Sequence, residues 1–315
     1  MQKISWFIFL FALILSPESI SQDVRFSTKW FGPNANPVPE FTDATIPSKT
    51  EISLMSDLYF GYGDLTTNER IKVEVPFFSN HFSFGFWTTE AEFYFVDPQL
   101  ALKRHMDSSE PGYARGDYYV QTRFRVLQQC RHQVDMILNS TLKTASGTDV
   151  LNRRYFDSPG YYFDCEIGKS IYLPHVFFNE LRFTSDLGFY SWQAGDVSQD
   201  DALIFGLKVS LMNEYFTWTN TFSGYWGWMH THPNYGPEYG DQPLVLSTKL
   251  THAFNRVSWF GQYQAGLRDF PYHQVRFGIT FRAGRMTPQY AKWDEEPAED
   301  EKITEKRNRK NTSVQ

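Results

Sequence analysis

The chain has 315 residues, of which 41% are hydrophobic and 18% aromatic with 29 Phe, yet its mean hydropathy is only −0.45 and its formal net charge −6. So small a charge, with no concentrated basic patch, argues against nucleic acid as a partner. Beyond the N-terminal leader, no stretch approaches the roughly 18 consecutive apolar residues of a transmembrane helix. That leaves open strands, which carry their apolarity on every second residue and escape hydropathy scans.

Met1-Gln-Lys3, an apolar run from Ile4 to Leu15, and the small residues Ser19 and Ser21 read as a secretory signal peptide over 1–21. The run is too short to span a bilayer as a helix, and no Cys follows it to carry a lipid. Residues 22–50 are rich in Pro and Asn and have no sustained period. Pro33, Pro37, Pro39 and Pro47 remove ladder donors, so an extended arm is expected rather than a strand. Two readings stand for this periplasmic segment. It is a loose N-terminal lead, or it plugs the structure that follows or docks a periplasmic partner, with Trp30 and Phe31 as anchors.

From residue 51 to 282 strict alternation takes over, and a strand places successive side chains on opposite faces. Strands are expected over 51–62, 69–77, 82–96, 118–127, 134–145, 160–171, 179–190, 201–212, 215–226 and 244–253, then in a hairpin within 256–282 that turns at Asp269-Phe-Pro-Tyr272. The hairpin's second limb shows the pattern well. Val275, Phe277, Ile279 and Phe281 form an oily face, opposite Gln274, Arg276, Gly278, Thr280 and Arg282. In the third strand Phe82-Ser-Phe-Gly-Phe86 is out of phase with Trp87, Ala91, Phe93 and Phe95, so a bulge is expected near Gly85.

Twelve strands are expected, an even number, and the connections sort by length. Those after the second, fourth, sixth, eighth and tenth strands are short. Those after the third, fifth, seventh and ninth are long: Asp97–Gly116, Ser146–Pro159, Gln193–Asp200 and Gly227–Pro243. Short turns at one end, long loops at the other and both termini on the short side is the arrangement of an outer-membrane barrel. A spanning sheet must close, because lipid offers nothing to edge N–H and C=O groups. Tyr59, Tyr118, Tyr161, Tyr190, Tyr215 and Trp226 crowd the strand ends as interface girdles would. The expected fold is thus all-β, a single closed antiparallel transmembrane barrel over 51–282. A soluble sandwich or lipocalin-like protein is the competing reading.

Arg276-Phe-Gly278-Ile-Thr-Phe281 resembles the C-terminal insertion signal of bacterial outer-membrane barrels, and the architecture of 51–282 resembles uncharacterised barrels of Bacteroidota-type bacteria. The resemblance implies a Gram-negative outer-membrane location with both termini periplasmic, contact with outer-membrane lipid, and dependence on the barrel-assembly machinery for insertion. Past Phe281 the chain runs on as a charged, aperiodic tail, 283–315, expected to be disordered in the periplasm.

The polar faces supply the candidate site, a charged lumen. Its expected lining is Arg70, Lys72, Arg123, Arg125, Lys143, Arg182, Lys208, Lys249, Arg268, Arg276 and Arg282 against Asp57, Glu74, Glu90, Glu92, Asp135, Asp164, Glu166 and Asp186. Cross-strand pairs of opposite sign stabilise a sheet, so a self-neutralising interior is one reading. A mildly cationic channel for small anionic solutes is the other. Charge looks least neutralised where the last strand meets the first, near Arg70, Lys72 and Arg276.

No catalytic constellation is found, and no cofactor or metal is expected. Ser79-Asn80-His81 in a turn and His230-Thr-His232 beside Glu238 and Asp241 are the weak candidates considered. Cys130 and Cys165 fall on unrelated positions, so no disulfide is expected. The functional expectation is a porin-like transport barrel. Its alternatives are a plugged structural, assembly or partner-binding barrel and, third, a lipid-active enzyme.

Overall fold

The alternating segments become strands, and each pairs antiparallel with its neighbour until the last meets the first. In the computed structural model they are β1 (Glu51–Phe60), β2 (Asp64–Phe77), β3 (Phe82–Val96), β4 (Gly112–Ala114), β5 (Tyr118–Leu127), β6 (Asp135–Lys143), β7 (Gly160–Tyr172), β8 (Glu180–Gln193), β9 (Gln199–Met212), β10 (Phe216–Gly227), β11 (Leu244–Phe254), β12 (Val257–Arg268) and β13 (His273–Arg282). The structure describes residues 25–77, 81–173, 176–194, 199–231 and 236–284. The residues read as a signal peptide, and the charged tail beyond residue 284, lie outside them.

β4 is a short spur on β3, and the other strands form a closed antiparallel barrel of twelve. Closure is made by β1 against β13, from Glu51 opposite Arg282 to Phe60 opposite His273. Short turns gather at the end that carries Glu51 and Arg282, here the turn end. The opposite end carries the long loops, one of which holds a short helix, α1 (Pro98–Lys103), capped by the Asp97 side chain on Gln99 N–H at 2.9 Å.

Outside, the barrel presents an apolar band that includes Leu54, Phe163, Leu187, Leu207, Leu250 and Phe277. In water such a surface would drive association, and in a bilayer it is the solvated face. Tyr118, Tyr161, Tyr215 and Trp226 stand on this outer face. Tyr59 and Tyr190 do not. They are buried inside the lumen, so the girdle expected of them is corrected. Among the described residues neither Cys130 nor Cys165 is in a disulfide.

The bulge lies further along β3 than the sequence phase suggested. Glu69 of β2 pairs Ala91 while Arg70 pairs Thr89, which leaves Glu90 as the extra residue. One residue of slip exchanges the two faces. Trp87 therefore points inward and is buried, whereas Glu90 is on the outside, 3.3 Å from Arg115.

Candidate functional site

The interior is not a bare charged tube, because residues 25–50 run through it from end to end. Arg25, Ser27 and Thr28 hydrogen-bond Glu238 O, Tyr239 O and Asp269 O at the loop end. Thr50 O accepts from Ala283 N–H at the turn end. The Pro-rich composition suits this course. An extended segment without ladder donors cannot join the wall and must satisfy its polar groups one by one. Residue 25 is thus at the opposite end of the barrel from Arg282, and both termini themselves, expected on the short-turn side, lie outside the described residues.

The loop-end half of the lumen is an aromatic core. Phe31 of the arm meets Phe156 edge-on at 4.3 Å, within a cluster that includes Tyr162, Tyr190, Trp192, Tyr225 and Tyr272. Polar tips are used here as well. Tyr190 Oη donates to Asn36 Oδ1, and Asn36 Nδ2 donates to Tyr225 Oη at 3.0 Å. Arg154, from the loop between β6 and β7, reaches into this half with no exposure. It donates to Glu92 Oε1 at 2.7 Å, Asp64 Oδ2 at 2.9 Å and Thr66 Oγ1 at 2.8 Å. Arg104, which follows α1, meets the same Asp64 oxygen at 2.8 Å, and Asn34 of the arm donates to Glu92 Oε2 at 2.6 Å. Loops and arm are therefore tied into the mouth by buried charge.

The turn-end half is polar, with an acidic cluster and a cationic one on opposite sides and Arg182 and Lys208 beside the acids. On one side stand Asp164 and Glu166 of β7, Asp186 of β8 and Asn139 of β6. Asn139 Nδ2 donates to Asp164 and, at 3.1 Å, to Glu166. On the other side stand Arg70 and Lys72 of β2, Lys249 of β11 and Arg276 of β13. Asp57 is paired with Arg276 and hydrogen-bonded by Asn68 and Gln274. Arg123 spans the gap, donating to Glu74 at 2.8 Å and Asn139 at 3.1 Å, with Glu166 at 3.4 Å.

The arm matches this division group by group. Thr42 N–H and Ala44 N–H both donate to Glu166 at 2.9 Å, and Thr42 Oγ1 donates at 2.6 Å. Ala44 takes a left-handed φ of 60° as it does so, a conformation that the surrounding contacts must hold. The arm's carbonyls accept from cations, Phe41 O and Thr42 O from Lys208 and Asp43 O from Arg182. Its carboxylate Glu40 accepts from Arg70 at 2.9 Å and from Arg276 at 2.7 Å. Lumen glycines leave the space: a Cβ on Gly206 would collide with the Phe41 ring, and one on Gly168 with Arg182 and Asp43 O. Between arm and wall remains a cavity of about 30 Å³, lined by Asn34, Glu40, Arg70, Tyr119 and Gln274 among others. That cavity by itself is room for about one water.

Of the residues expected to line the lumen, the structure places Asp57, Glu74, Glu92, Arg123, Lys143, Asp164, Glu166, Arg182, Asp186 and Arg276 in buried positions, and Arg70, Lys72, Lys208 and Lys249 half-buried. Asp135 is buried against Arg182 at 2.7 Å, and Lys143 meets Asp117 at 2.7 Å. Arg125 is half-buried at the turn end, where Arg282 pairs Glu51 at 3.0 Å. Two positions are corrected. Glu90 is outside because of the bulge. Arg268 is on the loop-end rim, over the Trp226 ring at 4.9 Å, because it is the last residue of β12.

Sequence reasoning missed Asp64, Arg104 and Arg154, which lie in loops or at strand ends where alternation says nothing. It missed Glu40 too, although an acid in a Pro-rich arm beside a cationic seam was a usable signal. Of the weak catalytic and metal candidates, Ser79, Asn80 and His232 lie outside the described residues. His230 Nδ1 is within hydrogen-bond distance of Gly227 O at 2.8 Å and Gln242 at 2.6 Å. Among the described residues no group of three or more His, Cys, Asp or Glu is placed to hold a metal.

Solved structures similar in fold include an outer-membrane channel from Pseudomonas putida F1, at 9% identity with a TM-score of 0.50, covering 77% of this chain and 99% of that one. The NanC porin matches at 12% identity and a TM-score of 0.48, covering 74% of this chain and 100% of that one. The KdgM porin in complex with disordered oligogalacturonate matches at 8% and 0.44, covering 74% and 99%. No family model matches the sequence, and no curated protein matches it. At such identities the likeness is one of fold, and it is specific to no Bacteroidota-type group. The chain is a closed twelve-stranded antiparallel barrel, the fold of that outer-membrane channel.

Proposed function

We propose that this barrel is a gated outer-membrane channel for small anionic solutes, closed in the conformation seen here by residues 25–50. The observation that carries the reading is the cationic wall of Arg70, Lys72, Lys249 and Arg276, which runs along the lumen and is met by the arm through one carboxylate. A wall of one sign against a low-dielectric sheet concentrates ions of the other sign. Transport through the part of the lumen that residues 25–50 occupy requires the arm to leave or shift.

In the orientation usual for outer-membrane barrels, the turn end and residue 282 face the periplasm and the long loops face outward. Residues 25–28 then lie on the outer side. Lipid contacts the apolar band, and the assembly machinery inserts the chain. No enzymatic role is proposed.

Planar-bilayer recording of the full-length protein and of a variant lacking 25–50 tests the reading. The intact protein is expected to be closed or to open rarely. The deleted form is expected to conduct with an anion-selective reversal potential. Cation selectivity would sink the anionic assignment, and a silent deleted form would sink the channel. The second reading, a permanently plugged structural or partner-binding barrel, draws on the many polar bonds that hold the arm; silence of both forms would favour it.

A further inference from the structure

Among the described residues, Glu40 is the point at which the arm sets a carboxylate against the cationic wall. Both guanidinium contacts fall on one oxygen, Oε1: Arg70 Nη1 at 2.9 Å and Arg276 Nη1 at 2.7 Å. The Glu40 side chain is 53% exposed although strands surround it, and it lines the residual cavity. Asp43, the other acid among the arm's described residues, is used differently, accepting from the arm's own Thr45 Oγ1 at 2.6 Å.

The wall around Glu40 holds more positive charge than the strands neutralise. Arg276 shares Asp57, but Arg70 has no ion-pair partner besides Glu40 among the described residues. Lys72 and Lys249 have none at all there. The Lys72 ammonium lies 5.4 Å from the Trp87 ring centroid, and that of Lys249 lies 3.8 Å from the Phe260 ring centroid. Without Glu40 the seam between β2 and β11 would carry Arg70, Lys72 and Lys249 uncompensated, a costly arrangement in a narrow lumen. Guanidinium forks suit a planar carboxylate, and ammonium groups to either side suit further negative charge on the same molecule.

We propose that Arg70 and Arg276 form a carboxylate-binding site in which Glu40 is the resident, built-in occupant. A solute bearing carboxylates opens the barrel by taking Glu40's place. The opening rests on the channel reading above; the site does not. The exchange is near balance on the wall, since one carboxylate replaces another on the same donors. Glu40 is tethered, however, and a short tether gives an effective concentration on the order of millimolar or more. A monocarboxylate competes poorly. A di- or polycarboxylate that also reaches Lys72 or Lys249 competes well, so the solute class is an organic polyanion.

The test uses the full chain in detergent micelles and in bilayers. Glu40→Ala should lower the thermal midpoint by several degrees, and acetate should restore it saturably, succinate at lower concentration. Sodium chloride at equal ionic strength should not. Adding Arg70→Gln to Glu40→Ala should abolish the rescue. No rescue, rescue by chloride alike, or rescue that survives Arg70→Gln would overturn the site. Should Glu40→Ala not assemble, Glu40→Gln keeps the side-chain shape and is tested in the same way. Should neither assemble, succinate is titrated into the wild type while tryptic cleavage at Lys49 is followed. Faster cleavage that Arg70→Gln prevents supports the site, and unchanged cleavage overturns it. In bilayers, succinate should raise the opening frequency of the wild type at least tenfold over chloride. Rescue without current leaves the site standing and removes the channel; current without rescue does the reverse.

Discussion

Gly206 and Phe41 share one space: the arm's ring fills the position that a side chain on β9 would occupy. The wall is thus moulded to the segment inside it, and the same holds for Gly168 beneath Asp43 and Arg182. A Gly206→Val variant should expel Phe41 and loosen the arm while leaving the strand ladder intact, because valine is well suited to a strand. Overpacking of this kind costs about 1–3 kcal/mol. Expected are faster tryptic cleavage at Lys29 and Lys49 and unchanged β content by circular dichroism. A variant with wild-type cleavage would show that Phe41 has another place to go.

Arg154 is the keystone of the loop-end mouth. Arg154→Met keeps much of the stem but leaves Glu92 without its cation, and Asp64 with Arg104 alone. Stranding a buried charge typically costs about 3–5 kcal/mol. Arg154→Met with Glu92→Gln should recover part of that loss, since the pair is removed together. Urea unfolding of the refolded barrel in micelles measures both. A double variant weaker than the sum of the two singles would contradict the pairing.

Leu207 separates a membrane barrel from a soluble one. It is 63% exposed on β9, and in water Leu207→Arg would be close to neutral. Facing lipid near the middle of a strand, an Arg costs about 2–4 kcal/mol. The expected outcome is a lower yield of heat-modifiable barrel in vesicles. An unchanged yield would argue against lipid on this face.

Asp241, in the loop between β10 and β11, gives a pH dependence. Burial raises its carboxyl above the ordinary range, and neither backbone donors nor His230 lower it enough to offset this. The folded loop then holds a proton that the unfolded chain gives up, so its stability falls as pH rises from the ordinary carboxylate value through the raised one. Hydrogen exchange of residues 227–231 should quicken across that interval, and Asp241→Asn should flatten the slope. A slope of opposite sign would mean that the carboxylate is held ionised.

Alternation read most of the wall correctly because its period reports which face each residue takes, and strands such as β8 and β13 keep that period without interruption. It failed at β3, where one extra residue, Glu90, exchanges the faces and where Phe84 and Trp87 are equally plausible as outward residues. It also placed Tyr59 and Tyr190 on the girdle, since an aromatic near a strand end looks the same whichever face it is on. What fills a barrel leaves no period in the wall at all. Arm residues such as Phe31 and Glu40 gain their roles from contacts far along the chain, as between Glu40 and Arg276 with a separation of 236 and between Thr42 and Glu166 with one of 124.

The path of the arm constrains how the molecule can be put together. Residue 50 hands over to β1 at the turn end while residue 25 is held at the loop end, so the closed wall encircles a thread that cannot step sideways through it. Either the thread is laid in the groove of an unfinished sheet before β13 zips to β1, or it is drawn lengthwise through a finished ring. The first order uses the wall as a template, with Glu166 and Lys208 in place before the seam forms. In that order the β1–β13 seam is also a clasp fastened over cargo, and its hydrogen bonds are those that make the thread a captive.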